Sequence, residues 1–322
     1  MKRLKVAVVG FGVMGKYHAN VYAALPHTDL VAVVDPDPLR CLEAETTYAV
    51  RSFCHACAML ESFRPDAVSI AAPTSCHYEL TKRFLEAGVH VLVEKPVATE
   101  VMQAQKLAHM SRRRGLVLQV GHITRFYRSV QLLRERIREP YLIEARRLTP
   151  HARIKDVGAI LDLMIHDIDI LLSLVQSDIQ EVTVAGQILN GSLFEDVAAA
   201  QIVFANGCIA RLLASRVAPN AERSLVVAEA KQTIRLDFGK DPYAEIAVYR
   251  PVADGTGSNH VQVDRIEVRE DNPLRTELEH FTARIRGAEA PIGTLEDDLR
   301  SLQLATRLIA QLKAKCRVEL SY

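Results

Sequence analysis

One lysine in this sequence stands where its amine could act on a bound ligand. Lys95 lies in Glu94-Lys95-Pro96, directly after the apolar run Val89–Val93. This run predicts a buried parallel strand that stops before Pro96, because proline cannot donate a hydrogen bond to a continuing ladder. A side chain at the carboxyl end of such a strand faces the crevice in which open α/β sheets bind ligands. Lys95 is therefore a candidate for donating a hydrogen bond or a proton to a substrate.

A carboxylate and an imidazole form a second candidate set. Asp162 and His166 lie in the segment Val157–Val175, whose other residues are almost all apolar. The segment predicts a buried helix, so its polar residues, Asp167 and Asp169 among them, need partners or a cavity. Residues four apart share a helix face. The pair fits three interpretations, namely a carboxylate that orients a proton-moving histidine, a buried structural pair, or part of a metal site. A metal would need a third ligand, which the sequence does not reveal, and we expect no metal.

A glycine-rich turn predicts a nucleotide site near the N-terminus. The turn follows the apolar strand Leu4–Val9 and opens a helix, and it consists of Gly10, Phe11, Gly12, Val13, Met14 and Gly15. This spacing allows a tight turn, a close approach of the backbone to a pyrophosphate and close packing of helix on strand. Asp35 ends the second predicted strand, where a carboxylate binds ribose hydroxyls and repels a 2′-phosphate. We therefore expect NAD rather than NADP, with Arg40 close enough to complicate that preference.

Two further stretches are expected to line the nicotinamide side of this site. Ala72, Pro73 and Thr74 follow the fourth predicted strand. Glu94 and Lys95 follow the fifth. Since the carboxyl ends of parallel strands meet at one edge, these residues should lie near the glycine turn. His77, one turn further on, fits a cofactor contact and a plain helix residue equally well.

The order of the predicted elements indicates two domains. Strands and helices alternate over residues 1–121, which predicts a Rossmann domain with a doubly wound parallel sheet. Residues 122–322 contain several alternating strands in a row, which predicts an α+β domain with a large open mixed sheet. A formal net charge of +1 in 322 residues gives no reason to expect a nucleic-acid partner. No apolar stretch of about 18 residues is present, so no membrane span is expected. Six cysteines in a chain of this length indicate no disulfide scaffold and a cytoplasmic protein.

The glycine motif, Glu94-Lys95-Pro96 and Asp162-x-x-x-His166, in this order, resemble the glucose–fructose oxidoreductase, inositol dehydrogenase and rhizopine-catabolism (Gfo/Idh/MocA) family. The resemblance implies a Rossmann domain followed by a domain whose open sheet binds substrate on one face and often packs against another subunit. It implies NAD(P)-dependent oxidation or reduction at a sugar or cyclitol carbon, with Lys95, Asp162 and His166 as the catalytic residues. It also implies a homodimer or homotetramer.

Residues 120–126, 164–169 and 214–217 are similar to a subgroup that includes UDP-N-acetylglucosamine 3-dehydrogenases, which act on a nucleotide sugar. Met164, where many members have glycine, and Tyr127-Arg128, in place of asparagine-proline, depart from the family pattern. A guanidinium suits phosphate oxygens, so Arg125 and Arg216 are candidates for the substrate phosphate, although salt bridges explain them about as well. The substrate-binding residues implied are His122, Arg125, Phe126, Asp162, His166 and Arg216.

The resulting hypothesis is that Lys95 and His166 converge beside one nicotinamide ring. One of them removes the hydroxyl proton and the other stabilises the developing alkoxide, and the sequence does not decide which. Asp162 would orient His166 or bind a neighbouring hydroxyl. Two alternatives are an inositol or sugar-phosphate dehydrogenase of the same family and a catalytically silent NAD-sensing regulator. The presence of all three side chains argues against the regulator.

Overall fold

The protein forms two compact units. The computed structural model describes residues 2–150, 156–189, 192–240, 242–253 and 259–319. One unit comprises Met1–Ile123 and Leu274–Leu299, and the other comprises Thr124–Pro273 and Arg300–Tyr322. Among the described residues, no helix combines the length and the apolar character needed to cross a membrane.

The first unit contains the Rossmann sheet expected from the sequence. Its strands are β1 (Leu4–Val9), β2 (Thr28–Val34), β3 (Arg51–Phe53), β4 (Ala67–Ile70), β5 (His90–Glu94) and β6 (Leu118–Gly121). Its first helices are α1 (Val13–Ala24), α2 (Pro38–Tyr48), α3 (Ala56–Ser62), α4 (His77–Glu86) and α5 (Val101–Arg114). The strand order is β3-β2-β1-β4-β5-β6, with every pair parallel. The order reverses between β1 and β4, which is the position where such sheets open a crevice for a dinucleotide.

The second unit is built on a mixed sheet of eight strands, also as expected. Its elements are α6 (Arg128–Arg136), β7 (Leu142–Leu148), a π-helical turn (Ile160–Met164), α7 (Ile165–Leu174), β8 (Ile179–Gln187), β9 (Val197–Phe204), β10 (Ile209–Ser215), β11 (Glu222–Glu229), β12 (Gln232–Lys240), β13 (Tyr243–Ala253) and β14 (Asn259–Arg269). The strand order is β14-β13-β12-β11-β7-β10-β9-β8. Only the β7–β10 pair in this list is parallel. Alternate residues of β7, β9 and β10 are buried, so one face of the sheet packs inward and the other is open.

Two more helices follow β14. The first of them lies in a different unit from the one that the sequence predicts. These helices are α8 (Pro273–Ile285) and α9 (Leu295–Glu319). Leu278 and Phe281 of α8 are fully buried in the same core as Val6, Val33 and Leu92 of the Rossmann sheet. Residues 274–299 therefore belong to the first compact unit, whereas the sequence-based division at residue 121 puts them in the second domain. The physical reason is that the apolar stripe of α8 is buried against the parallel sheet.

Candidate functional site

The glycine turn has the shape that a pyrophosphate requires. Gly10 has a φ of +88°, and a Cβ on it would lie 2.6 Å from the carbonyl oxygen of Ala71. A Cβ on Gly15 would lie 1.8 Å from the carbonyl oxygen of Gly10, so helix α1 can approach the turn only because residue 15 has no side chain. A Cβ on Gly12 would meet nothing closer than Arg40 Nη1 at 3.9 Å, which leaves its backbone open to a ligand. Gly12 is the N-cap of α1 and supplies no side-chain cap, so the helix start fits a phosphate group.

Asp35 holds this turn against the end of β2. Its side chain is 2% exposed and accepts the Phe11 N–H at 2.6 Å and the Asp37 N–H at 2.9 Å. Arg40 Nη1 lies 3.4 Å from Asp35 Oδ2, and about half of the Arg40 side chain is exposed. The position thus combines a carboxylate suited to ribose hydroxyls with a guanidinium suited to a 2′-phosphate.

The other residues of the glycine turn, Phe11, Val13 and Met14, differ in how far their side chains are exposed. The ring of Phe11 is buried in the core and meets Tyr48 edge-on, with ring centroids 6.2 Å apart. Phe11 therefore offers the site its backbone and not its ring. Val13 is exposed and Met14 half-buried at the start of α1.

Both ring nitrogens of His77 lie against backbone carbonyl groups of the protein. Its ring is buried, with Nδ1 2.7 Å from the carbonyl oxygen of Pro96 and Nε2 2.9 Å from that of Ala72. Both nitrogens thus face carbonyl oxygens, so His77 connects the loop after β4 to the segment after Lys95. These bonds favour the plain helix residue over the cofactor contact. In the same loop, Thr74 is buried and Pro73 exposed.

Lys95 stands where the sequence predicts it, immediately after β5. It is half-buried, and its peptide bond to Pro96 is cis. The Glu94 carboxylate lies 3.0 Å from His18 Nε2. Burial alone would raise the pKa of Glu94, but the hydrogen bond and charge of His18, together with the charge of Lys95, hold it below its usual value. The residue beside Lys95 is therefore an ionised carboxylate.

Asp162 and His166 lie in the second unit, in a helix that is not uniformly α-helical. Asp162 is buried in the π-helical turn, and half-buried His166 lies in α7. The sequence predicts one long helix from Val157 to Val175, and the structure has a π-helical turn followed directly by α7 in this segment. The N–H groups of Ala159 and Ile160 bond to the backbone oxygen and side chain of Glu195, at 2.9 and 3.0 Å. Glu195 therefore caps the start of this helix, and the π-helical turn that follows is a geometry frequent at functional sites.

The expectation that the acids of this helix need partners is confirmed. Asp167 receives the guanidinium of Arg147 at 2.6 Å, and both side chains are buried. Burial lowers the pKa of Arg147, but the Asp167 carboxylate outweighs it, so the pKa lies above its ordinary value. Asp169 receives the guanidinium of Arg125 at 2.5 Å and the Ser301 hydroxyl at 3.2 Å. These two ion pairs hold Asp167 and Asp169 in place on the helical turn that follows His166.

The two arginines considered for phosphate binding are engaged in the protein interior. Arg216 is 2% exposed and donates to Asp196 at 2.7 Å, to the Ser192 hydroxyl at 2.8 Å and to the Val157 carbonyl at 2.8 Å. Arg125 is buried with Asp169. These contacts favour the salt-bridge interpretation of both residues. Of the other substrate candidates, Phe126 is buried, and buried His122 has Nε2 3.7 Å from Asp298 Oδ1.

Comparison with known proteins places these features in a family. Residues 4–122 match the oxidoreductase family with an NAD-binding Rossmann fold (GFO/IDH/MocA), and residues 130–235 match the GFO/IDH/MocA C-terminal domain. The chain is 32% identical over 302 residues to UDP-N-acetylglucosamine 3-dehydrogenase of Acidithiobacillus ferrooxidans, covering 91% of each chain. A crystal structure of that protein superposes with a TM-score of 0.88 at 30% identity, covering 98% of this chain and 99% of that one.

A second relative has a cyclitol as its substrate. The scyllo-inositol 2-dehydrogenase (NAD(+)) of Bacillus subtilis is 27% identical over 324 residues, covering 94% of this chain and 92% of its own. The family matches account for both units, and the glycine turn and Asp35 provide the features that a dinucleotide needs. This chain belongs to the GFO/IDH/MocA family of NAD-binding oxidoreductases.

Proposed function

We propose that the protein oxidises or reduces a ring hydroxyl carbon of a sugar with NAD, and that the sugar is a nucleotide sugar resembling UDP-N-acetylglucosamine. The substrate is proposed from the 32% identity to UDP-N-acetylglucosamine 3-dehydrogenase, which extends over nine-tenths of both chains. The observation that supports the chemistry is a half-buried lysine at the carboxyl end of β5, on the edge of the sheet that carries the glycine turn.

The proposed catalytic residues are Lys95, Asp162 and His166. The bound nicotinamide supplies the hydride acceptor or donor. In the oxidative direction, His166 removes the proton of the hydroxyl while Lys95 donates a hydrogen bond to the same oxygen and stabilises its developing charge. The reverse assignment, with Lys95 as the base, uses the same groups. Asp162 orients His166 or binds a neighbouring hydroxyl.

The proposed cofactor preference is for NAD over NADP. Gly10, Gly12 and Gly15 leave the space for a pyrophosphate, and the Asp35 carboxylate suits a ribose with free hydroxyls. Arg40 provides the competing influence, because its guanidinium lies beside Asp35 and would attract a 2′-phosphate. The ratio of NAD to NADP activity therefore depends on these two side chains.

Arg216 and Arg125 are assigned a supporting role in this proposal. Arg216 bonds to the carbonyl of Val157 and to Asp196, whose neighbour Glu195 bonds to the start of the π-helical turn. Arg125 binds Asp169, three residues beyond His166. Both arginines therefore fix the backbone that carries Asp162 and His166.

The assembly and location expected from the sequence are also proposals. The open face of the eight-stranded sheet carries a cavity of about 590 Å³ with polar side chains such as Glu144, Arg146 and Arg211 in its lining. We propose that this face is covered in a homodimer or homotetramer of a cytoplasmic enzyme. Light scattering of the purified protein tests the assembly, and a monomer at micromolar concentration would contradict it.

One assay separates the proposed function from its alternatives. The protein is mixed with NAD or NADP and, in turn, UDP-N-acetylglucosamine, myo-inositol and glucose 6-phosphate, and the absorbance of the reduced cofactor is followed. We expect reduction of NAD with the nucleotide sugar and none by the Lys95→Ala variant. Turnover of myo-inositol alone would favour the inositol dehydrogenase. Binding of NAD without turnover of any sugar, together with capture of a stable protein partner, would favour the regulator.

A further inference from the structure

Three side chains joined by hydrogen bonds, those of Ser69, His18 and Glu94, lead to the residue before Lys95. His18, on α1, is fully buried, with Nδ1 2.6 Å from the Ser69 hydroxyl and Nε2 3.0 Å from Glu94 Oε1. Ser69, on β4, is also fully buried. These hydrogen bonds therefore link α1 to the neighbouring strands β4 and β5 and end on Glu94, the residue that precedes Lys95.

The two partners of His18 hold its ring from both sides. The Glu94 carboxylate can only accept, so Nε2 donates to it. The Ser69 hydroxyl, which can donate or accept, bonds to Nδ1. This arrangement fixes the plane of the ring, and the ring fixes one oxygen of Glu94.

Glu94 is confined on its other side by the neighbouring strand. A Cβ on Gly121, in β6, would lie 3.1 Å from Glu94 Oε2 and 3.2 Å from Glu94 Cα. Residue 121 thus leaves just enough space for the carboxylate. With His18 bonded to one oxygen and Gly121 packed against the other, Glu94 has one position available, and the backbone that leads to Lys95 is held with it.

We propose that His18 is a positioning residue for Lys95 and acts through the Glu94 carboxylate. The proposal rests on the proposed function, in which Lys95 contacts the reacting hydroxyl. The His18 ring does not itself touch substrate. It holds the Glu94 carboxylate, and with it the backbone that carries Lys95, so that the Lys95 amine is in place to donate to the substrate oxygen.

A kinetic cycle tests whether His18 acts through Glu94. The variants are His18→Phe, Glu94→Gln and the double variant. Each single change should lower kcat about 10- to 100-fold, the range for loss of a residue that orients a functional group. The KM for NAD should stay within about twofold, and the double variant should be no slower than the slower single variant. Additive losses in kcat, or losses that appear only in KM, would overturn the proposal.

His27→Gln is the matched control for this cycle. His27 lies in the same unit and bonds to the Thr282 hydroxyl at 3.0 Å, away from the glycine turn and Lys95. It should lower thermal stability slightly and leave kcat unchanged. Ser69→Ala serves if His18→Phe does not fold, because it removes only the hydroxyl that orients the ring. It should lower kcat severalfold at an unchanged KM for NAD, and an unchanged kcat would count against the proposal.

A labelling experiment reads the same effect without any turnover. Acetic anhydride at limiting concentration modifies neutral amines, and mass spectrometry compares the acetylation of Lys95 with that of exposed Lys106. His18→Phe and Glu94→Gln should both increase the ratio at least threefold, because the amine loses its neighbouring anion, and His27→Gln should not. An unchanged ratio would refute the positioning role even if the enzyme oxidises sugars. A changed ratio in a protein that turns over no sugar would refute the proposed function alone.

Discussion

Replacing Asp35 with alanine should affect both the stability of the first unit and the choice of cofactor. The carboxylate accepts two backbone N–H groups, those of Phe11 and Asp37, at 2.6 and 2.9 Å. Hydrogen bonds to a charged group contribute about 1.5–3 kcal/mol each, and the Phe11 N–H would be left without its acceptor in the interior. We therefore expect Asp35→Ala to lower the free energy of unfolding by about 2–4 kcal/mol. For a unit of this size, such a loss lowers Tm by roughly 5–15 °C.

The same change should shift the cofactor preference toward NADP. Loss of the carboxylate removes the acceptor for ribose hydroxyls and frees Arg40, which now lies 3.4 Å from Asp35 Oδ2. A difference of about 1.4 kcal/mol corresponds to tenfold in binding. The ratio of kcat/KM for NAD to that for NADP should therefore fall at least about tenfold. Calorimetry measures the change in Tm, and initial rates with each cofactor measure the change in the ratio of kcat/KM.

Asp37→Ala is the control for both measurements. Asp37 is exposed and caps α2 through the Leu39 N–H at 2.9 Å, without a bond to the glycine turn. Its loss should cost about 1 kcal/mol, as for other N-caps. It should change the cofactor ratio much less than Asp35→Ala does, because Arg40, which also lies 3.5 Å from Asp37 Oδ2, keeps its contact with Asp35. The reasoning is refuted if Asp35→Ala keeps the wild-type Tm and the wild-type ratio, or if Asp37→Ala changes that ratio as much.

Three further predictions follow from buried polar groups. His77→Leu should lower the free energy of unfolding by about 1–3 kcal/mol in urea, because the carbonyls of Ala72 and Pro96 lose their shared partner; an unchanged midpoint would contradict this. Arg216→Met should cost about 3–5 kcal/mol by leaving the buried Asp196 carboxylate without its guanidinium partner, whereas a higher KM for the sugar at unchanged stability would restore a phosphate-binding role. The pKa of Glu94 is lowered on folding, so its ionised form stabilises the protein above its ordinary pKa of 4.5, and this contribution is lost as pH falls through the lower folded value. Acid titrations of wild type and Glu94→Gln should thus differ in unfolding free energy near neutrality and converge at low pH, and a constant difference would refute the assignment.

The sequence predicts the first unit well because its signals are local. A strand of apolar residues, a glycine turn and a helix lie next to each other in the chain, and the carboxyl-edge position of Lys95 follows from Pro96 alone. The strands predicted at Leu4–Val9 and Val89–Val93 are Leu4–Val9 and His90–Glu94 in the structure. The position of α8 could not be predicted, since its apolar stripe would fit either sheet.

The contacts of the second unit depend on residues far apart in sequence. Glu195, more than thirty residues away, caps the start of the π-helical turn by accepting two of its N–H groups. One signal could have revealed the Arg147–Asp167 pair. Arg147 continues the buried phase of β7 after Ile143 and Ala145, and a buried arginine requires an acid opposite it.

Single-turnover kinetics of Lys95→Met measure whether the Lys95 amine acts on the reacting oxygen. Wild type and variant are loaded with NAD and mixed with the nucleotide sugar, and the appearance of reduced cofactor is followed by stopped flow, with NADH affinity measured separately. We expect a rate about 10²- to 10⁴-fold lower at unchanged NADH affinity, because a group that stabilises the charge on the reacting oxygen is lost. A variant that reduces NAD at close to the wild-type rate would contradict this expectation.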